Sequence, residues 1–220
     1  MIWKYICRMG WVFLGAAVSS VGIAMTLCAN VGLEPWSVLQ QGISLTTGIT
    51  YGTASIIVGT AVIAIAVFFG ESFGIGTVAN ILLCGIFLDW LLSLNWISQI
   101  DALWSGVLML LAGLELLVLG TWMSIKSTLG VGPRDALMVA LARKTSHSVG
   151  ICRGVVDLAV VVTGWLLGGQ VGIGTVISAF GLGSLFNLNF FLLRFDAAAL
   201  HQENLMETVH FLQANMRKDL

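Results

Sequence analysis

Charge is scarce in this chain. Its 220 residues include 10 Lys and Arg and 11 Asp and Glu, 10% in all, where a soluble domain carries about 25%. Such a chain cannot cover its own surface in water, which excludes a soluble globular domain. Proline occurs only twice, and both copies, Pro35 and Pro133, fall in Gly-Pro turns that open short helical stretches. Histidine occurs three times, and no Ser/His, HExxH or paired-carboxylate constellation appears. The residues of hydrolytic chemistry are missing, His147 at a helix end is an unconvincing base, and the chain is not expected to be an enzyme. The four cysteines, Cys7, Cys28, Cys84 and Cys152, show no CxxC or Cys/His spacing. They read as buried small hydrophobes. Nothing in the residues supports a metal, haem or other cofactor, or a nucleic-acid partner.

What the chain does have is apolar surface, with 58% hydrophobic residues and a mean hydropathy of +0.97. That composition predicts an all-α polytopic membrane protein, one bundle over residues 1–195 and no second globular domain, with membrane lipid as its surroundings. It also has a repeat. A shift of 98 positions carries Gly22, Gly32, Pro35 and Leu39 onto Gly120, Gly130, Pro133 and Leu137. The same shift carries Gly52 onto Gly150, Gly85 onto Gly183, and Gly74-Ile75-Gly76-Thr77-Val78 onto Gly172-Ile173-Gly174-Thr175-Val176. Duplicated units in an apolar chain are a signature of transporter folds.

Six segments approach the ~20 residues a bilayer requires: Gly10–Ala29, Gly52–Phe69, Gly74–Leu94, Leu103–Ile125, Val149–Leu167 and Ile173–Leu193. The first has the basic start of a signal peptide, but it aligns with the fourth, which is internal, and so reads as structural helix. Glu34–Leu45 and Pro133–Lys144 look helical and are too short and polar to span. Each repeat, about residues 10–95 and 103–193, therefore reads as span, short helix, span, span. Three spans per repeat is an odd number, so the second repeat is expected upside down relative to the first. With the N-terminus in the cytoplasm, all ten Lys and Arg fall on or near the cytoplasmic side, including Lys4, Arg8, Lys126, Arg143, Lys144 and Arg194. This satisfies the positive-inside rule and places both termini in the cytoplasm. An eight-span alternative with parallel repeats would put Lys126 outside and demand spans of about 12 residues, well short of a bilayer.

Residues 196–220 differ in composition. They are charged, with Leu205, Val209, Leu212 and Met216 on one helical face and Asp196 placed to cap the start. This reads as a cytoplasmic amphipathic tail, either solvated or packed on the bundle or on a second copy. His201 and His210 belong to its surface.

The candidate binding residues gather at the two Gly-Pro turns: Gly32, Glu34, Pro35 and Trp36 in one, Gly130, Gly132, Pro133, Arg134 and Asp135 in the other. If these turns are re-entrant, their tips approach each other near the midplane, where irregular backbone survives only in protein or against a wet cavity. Helix N-termini there suit an anionic group. The competing reading lays both short helices in the interface. Gly74–Thr77 and Gly172–Thr175 read as tight hairpin turns. Four charged residues fall within spans. Arg153 and Asp157 lie four apart on one helix face, either as an anion site with a proton carrier or as a structural pair. Glu115 and Asp89 are further candidates for proton coupling or charge pairing, since charge in hydrocarbon costs at least ~2.5 kcal/mol.

Several ordered motifs resemble those of the YczE-like bacterial integral membrane proteins, which are related to the YitT group. In the first half these are Ala29-Asn30-Val31-Gly32, Pro35-Trp36-Ser37-Val38-Leu39, Tyr51-Gly52-Thr53-Ala54-Ser55 and Leu88-Asp89. In the second they are Leu129-Gly130-Val131-Gly132-Pro133-Arg134-Asp135-Ala136-Leu137-Met138, Arg153 and Gly172-Ile173-Gly174-Thr175. The resemblance covers roughly residues 8–193 and implies a bacterial inner-membrane protein. Departures are Glu34 before Pro35, Gly183-Ser184-Leu185 where a Pro is expected after the Gly, and Asp157 in place of Glu. The resemblance implies no substrate. Two functions stay open: a small secondary transporter or exporter of a small polar or anionic solute, and a membrane scaffold docking a cytoplasmic partner through its basic loop and tail. The small size of the bundle is compatible with a homodimer.

Overall fold

Among the described residues, each of the first four helices has a counterpart 98 residues further on. In chain order the first four are α1 (Ile2–Cys28), α2 (Pro35–Thr47), α3 (Tyr51–Phe68) and α4 (Ile75–Leu94). They are matched by α5 (Leu103–Lys126), α6 (Pro133–Thr145), α7 (Val149–Leu166) and α8 (Ile173–Leu192). This computed structural model describes residues 2–130, 132–145, 148–195, 200 and 202–208, and no strand occurs among them. Equivalent residues set equivalent boundaries. Pro35 and Pro133 open α2 and α6, where a missing N–H costs nothing. Thr50 accepts a hydrogen bond from Thr53 N and Ser148 from Ile151 N, so hydroxyl caps begin α3 and α7.

Among the described residues five helices, α1, α3, α4, α5 and α8, are long and apolar enough to cross a membrane. A sixth candidate is the pair Ala136–Thr145 and Gly150–Leu166, bent by 117°. The fifth expected span is thus a helix that carries Arg153 and Asp157 and continues from a sharply turned partner.

α1 and α5 cross at the centre, antiparallel, and glycine makes the crossing close. A methyl group built on Gly15 would lie 2.6 Å from the Gly120 carbonyl oxygen, and one on Gly22 would lie 2.5 Å from that of Gly113. Shifting by 98 turns the first pair into the second, so equivalent residues of the two halves build this crossing. Small residues at such a crossing let backbones approach and gain dispersion contacts.

Each short helix packs against the opposite repeat. α2 begins with Trp36 beside Asp157, at the middle of α7, and ends with Gly42 and Thr46 against Gly164 and Leu167. In the same way Ala136, Leu137 and Met138 of α6 pack on Val58, Val62 and Ala66 of α3, and Arg143 reaches Glu71 at 2.9 Å just past the end of α3. Both short helices therefore start beside the middle of a long helix and run toward its end.

The turn before each short helix docks on the hairpin turn of the other repeat. Gly174 N donates to Val31 O at 2.8 Å, and Gly76 N donates to Leu129 O at 2.9 Å. Gly74–Thr77 and Gly172–Thr175 are thus receptors for these loops as well as tight turns. Gly32 and Gly130 sit at the closest approach with φ of +105° and +132°, a region that penalises any Cβ. A Cβ on Gly32 would also lie 2.5 Å from Gly172 N. Gly32→Ala is expected to lower stability by about 2 kcal/mol, since strain and clash coincide, and Gly130→Ala by a similar amount. Gly48→Ala, at positive φ but with nothing nearby, should cost less. Thermal unfolding of the three variants in detergent checks the order.

Part of the tail is described, and it lies on the bundle. Glu203 N donates to Thr128 O at 2.9 Å and Leu205 N to Phe73 O at 2.9 Å. Arg8 pairs with Glu203 and donates to Ser127 O at 2.7 Å and Thr128 O at 2.8 Å. Asn204 and Glu207 cap the short helical turn that follows. The expected cap Asp196, the histidines His147, His201 and His210, and the apolar positions Val209, Leu212 and Met216 lie outside the described residues.

Candidate functional site

A cavity of about 180 Å³ lies among all eight helices. Its lining repeats the internal symmetry. Every lining residue except Phe186 has its counterpart in the lining as well: Ser19 with Leu117, Glu34 with Gly132, Trp36 with Arg134, Gln40 with Met138, Ser55 with Arg153, Gly59 with Asp157, Asn80 with Ser178, and so on. Equivalent residues of the two halves therefore line the cavity together. Its chemistry is not symmetric. Wherever one copy is charged, the other is uncharged.

The charged groups form one connected chain. Arg134 donates from Nη1 to both Glu34 carboxylate oxygens, at 3.0 and 3.2 Å. The Glu34 side chain is only 2% exposed and also accepts from Ser37 Oγ at 3.1 Å. It occupies the N-cap position of α2, where the helix dipole favours a negative charge. The Arg134 guanidinium lies over the Trp36 ring, 5.1 Å from its centroid. Trp36 Nε1 in turn donates to Asp157 Oδ1 at 2.9 Å, and Asp157 Oδ2 lies 3.6 Å from Arg153 Nε. Two carboxylates and two guanidinia thus balance within the site. Both short helices aim their N-terminal turns here, and the N–H groups of a first turn have no intrahelical partner.

One wall is closed and its counterpart is open. α3 and α4 pack tightly: a Cβ on Gly85 would lie 2.7 Å from Gly52 O. Asp89 bolts this seam, accepting from Thr50 Oγ1 at 2.5 Å and Gly52 N at 2.6 Å. α7 and α8 carry the equivalent Gly150, Gly183, Ser148 and Asn187, but stand apart. Gly150, Gly154, Gly181 and Gly183 face open space. Arg153, on α7, lines the cavity and is 44% exposed.

The structure brings together eight of the residues singled out from the sequence: Glu34, Pro35, Trp36, Gly132, Pro133, Arg134, Arg153 and Asp157 all line the cavity. Gly32 and Gly130 do not; they form the docking loops behind it. Asp89 lies on the α3–α4 seam. Glu115 is half-buried on α5, outside the lining, and makes no hydrogen bond or ion pair among the described residues. The side chain of Asp135 is outside the described residues. Ser19, Gln40, Asn80, Thr121 and Ser178 also line the cavity and were not anticipated. Asn80 and Ser178 carried a signal: they are polar residues at equivalent positions of two apolar helices. Among the described residues no group of three or more His, Cys, Asp or Glu could hold a metal ion.

Residues 6–190 match the family of unknown function DUF6198. The chain belongs to this family. It is 32% identical over 176 residues to an uncharacterized protein of Haemophilus influenzae, an overlap of 80% of this chain and 79% of the relative. It is 27% identical over 179 residues to the uncharacterized membrane protein YczE of Bacillus subtilis, covering 80% and 82% of the two chains. The uncharacterized protein YyaS of the same organism is 23% identical over 167 residues, 75% and 83% of the two. No solved structure matches. Its apolar helices and the YczE relationship make this DUF6198 member a multi-pass membrane protein. What its cavity offers is a charged, hydrogen-bonding pocket of small-molecule size among membrane helices.

Proposed function

We propose that the protein is a small secondary transporter or exporter that moves a small polar or anionic solute across the bacterial inner membrane without chemically changing it. In this reading six spans form two oppositely inserted three-helix repeats, the short helices are re-entrant, and both termini are cytoplasmic. The observation that supports it is a cavity lined by equivalent residues of both halves, beside a closely packed α3–α4 pair and an equivalent α7–α8 pair that stands apart. Exchanging the two walls would close α7 on α8, open α3 from α4, and expose the same cavity to the other side. The residues for that exchange are in place: Gly150 and Gly183 supply the small surfaces, and Asn187 stands where Asp89 bolts the first seam. The scaffold reading has less support, because Arg134 points into the cavity, Arg143 pairs with Glu71, and Lys144 lies over Phe69.

Disulfide trapping tests this reading. With the native cysteines replaced, Thr50→Cys with Asp89→Cys reports on the α3–α4 seam, and Ser148→Cys with Asn187→Cys on the α7–α8 seam. Each pair is expected to cross-link in membranes on its own. In a chain carrying all four substitutions, one cross-link should exclude the other. An α7–α8 pair that never forms, or two cross-links in one molecule, overturns alternation and the transport reading with it.

A further inference from the structure

We propose that the solute is a zwitterion bearing an N–H donor, a compound with the chemistry of a small amino acid. The inference rests on the transport reading of the cavity and adds the class of solute. Charge balance is the first argument. Glu34 and Asp157 offset Arg134 and Arg153, so a simple anion or cation would bring an uncompensated charge into a partly buried site, which is costly. A zwitterion brings none. Its carboxylate matches the guanidinium of Arg153 and the N-terminal turns of the short helices. Its ammonium matches the carboxylate of Asp157.

Gln40 supplies the second argument. It lies one turn beyond Trp36 on the same face of α2, is 4% exposed, and lines the cavity. Its Oε1 is buried and has no hydrogen-bond partner among the described residues. A buried acceptor without a partner is costly, and a turn of the Gln40 amide toward the cavity would pair it with a solute N–H, which an acetate-like anion does not offer. Repeat two has Met138 at this position, so the acceptor is a feature of one side only. Size agrees, since the cavity of about 180 Å³ slightly exceeds an engineered cavity of about 150 Å³ that binds benzene.

The test uses the purified full chain in detergent and follows its thermal unfolding midpoint. The probes are L-alanine, acetate, ethylamine and trimethylglycine. Alanine alone is expected to raise the midpoint. Acetate lacks the donor, ethylamine lacks the carboxylate, and trimethylglycine keeps both charges without an N–H. Gln40→Met, which installs the residue of repeat two, should weaken the apparent alanine affinity about tenfold while raising the midpoint without probe, because the unpaired acceptor is gone. Gln40→Asn, which retains an acceptor, serves if the Met variant does not fold. Equal stabilisation by acetate or trimethylglycine, or no response to alanine, overturns the proposal. Seam cross-linking needs no solute, so seams that alternate while alanine has no effect would sink only the solute chemistry.

Discussion

Gly22→Leu is expected to remove the folded protein. The variant drives a branched side chain into the Gly113 carbonyl and the Leu117 amide, where even a methyl group would lie at 2.5 and 2.7 Å. Those atoms are backbone, so no side chain can swing aside; α1 and α5 must separate. Overpacking costs about 1–3 kcal/mol where a core can yield, and a glycine-glycine crossing yields least, so the loss should lie at or above the top of that range. Symmetry sharpens the expectation. Gly113→Leu attacks the same contact from the other helix, so the double variant should be less than additive because one separation relieves both clashes. Gly10→Ala, where nothing lies within 4 Å, should leave the protein unchanged. Size-exclusion profiles and unfolding midpoints of the four proteins decide the matter, and a Gly22→Leu chain that elutes and melts like the parent would refute the crossing.

Glu34→Ala should cost about 3 kcal/mol. Removing one partner of a buried ion pair leaves the other charge uncompensated, which costs about 3–5 kcal/mol in full burial. Arg134 keeps 34% of its side-chain surface exposed, so the lower end applies. The double variant Glu34→Ala with Arg134→Ala should recover most of the loss, because no unpaired charge remains. Solute movement behaves differently: both the single and the double variant should abolish it if the pair belongs to the binding site. Recovery of stability together with flux would confine the pair to a structural role. Measuring both quantities on the same preparations separates the two.

Much of this architecture is legible in the spacing of glycine and proline. The 98-residue register predicts the matching helices, and Pro35 and Pro133 mark where α2 and α6 begin. The polar residues that meet at the cavity were visible too, because charge inside apolar helices stands out. What spacing does not reveal is contact. The register says that Gly32 and Gly130 are equivalent; it does not say that each loop docks on the hairpin of the other repeat. That follows from antiparallel packing of α1 and α5, a property of three dimensions. Asp157 illustrates the same limit. Its neighbour in sequence, Arg153, lies 3.6 Å away, while its closer partner is Trp36 at 2.9 Å, from a helix more than a hundred residues earlier. Glu115 shows the converse, since a charge in an apolar helix drew attention and the cavity lies elsewhere. The tail starts its described helical turn at Asn204, whose side chain reaches Glu207 N, a cap that a search for the first acidic residue after the bundle passes over.

The meeting of Trp36 and Arg134 bears on ancestry. The two residues hold the same position in the two repeats, and they touch. In a pair of identical separate subunits, whatever occupied that position would face itself: two arginines would repel one another, and two tryptophans would offer Glu34 no cation. Two identical copies could not have set a tryptophan against an arginine here. Only copies free to change independently can set a tryptophan against an arginine at one position, so the present asymmetry of the pocket postdates the duplication of the unit.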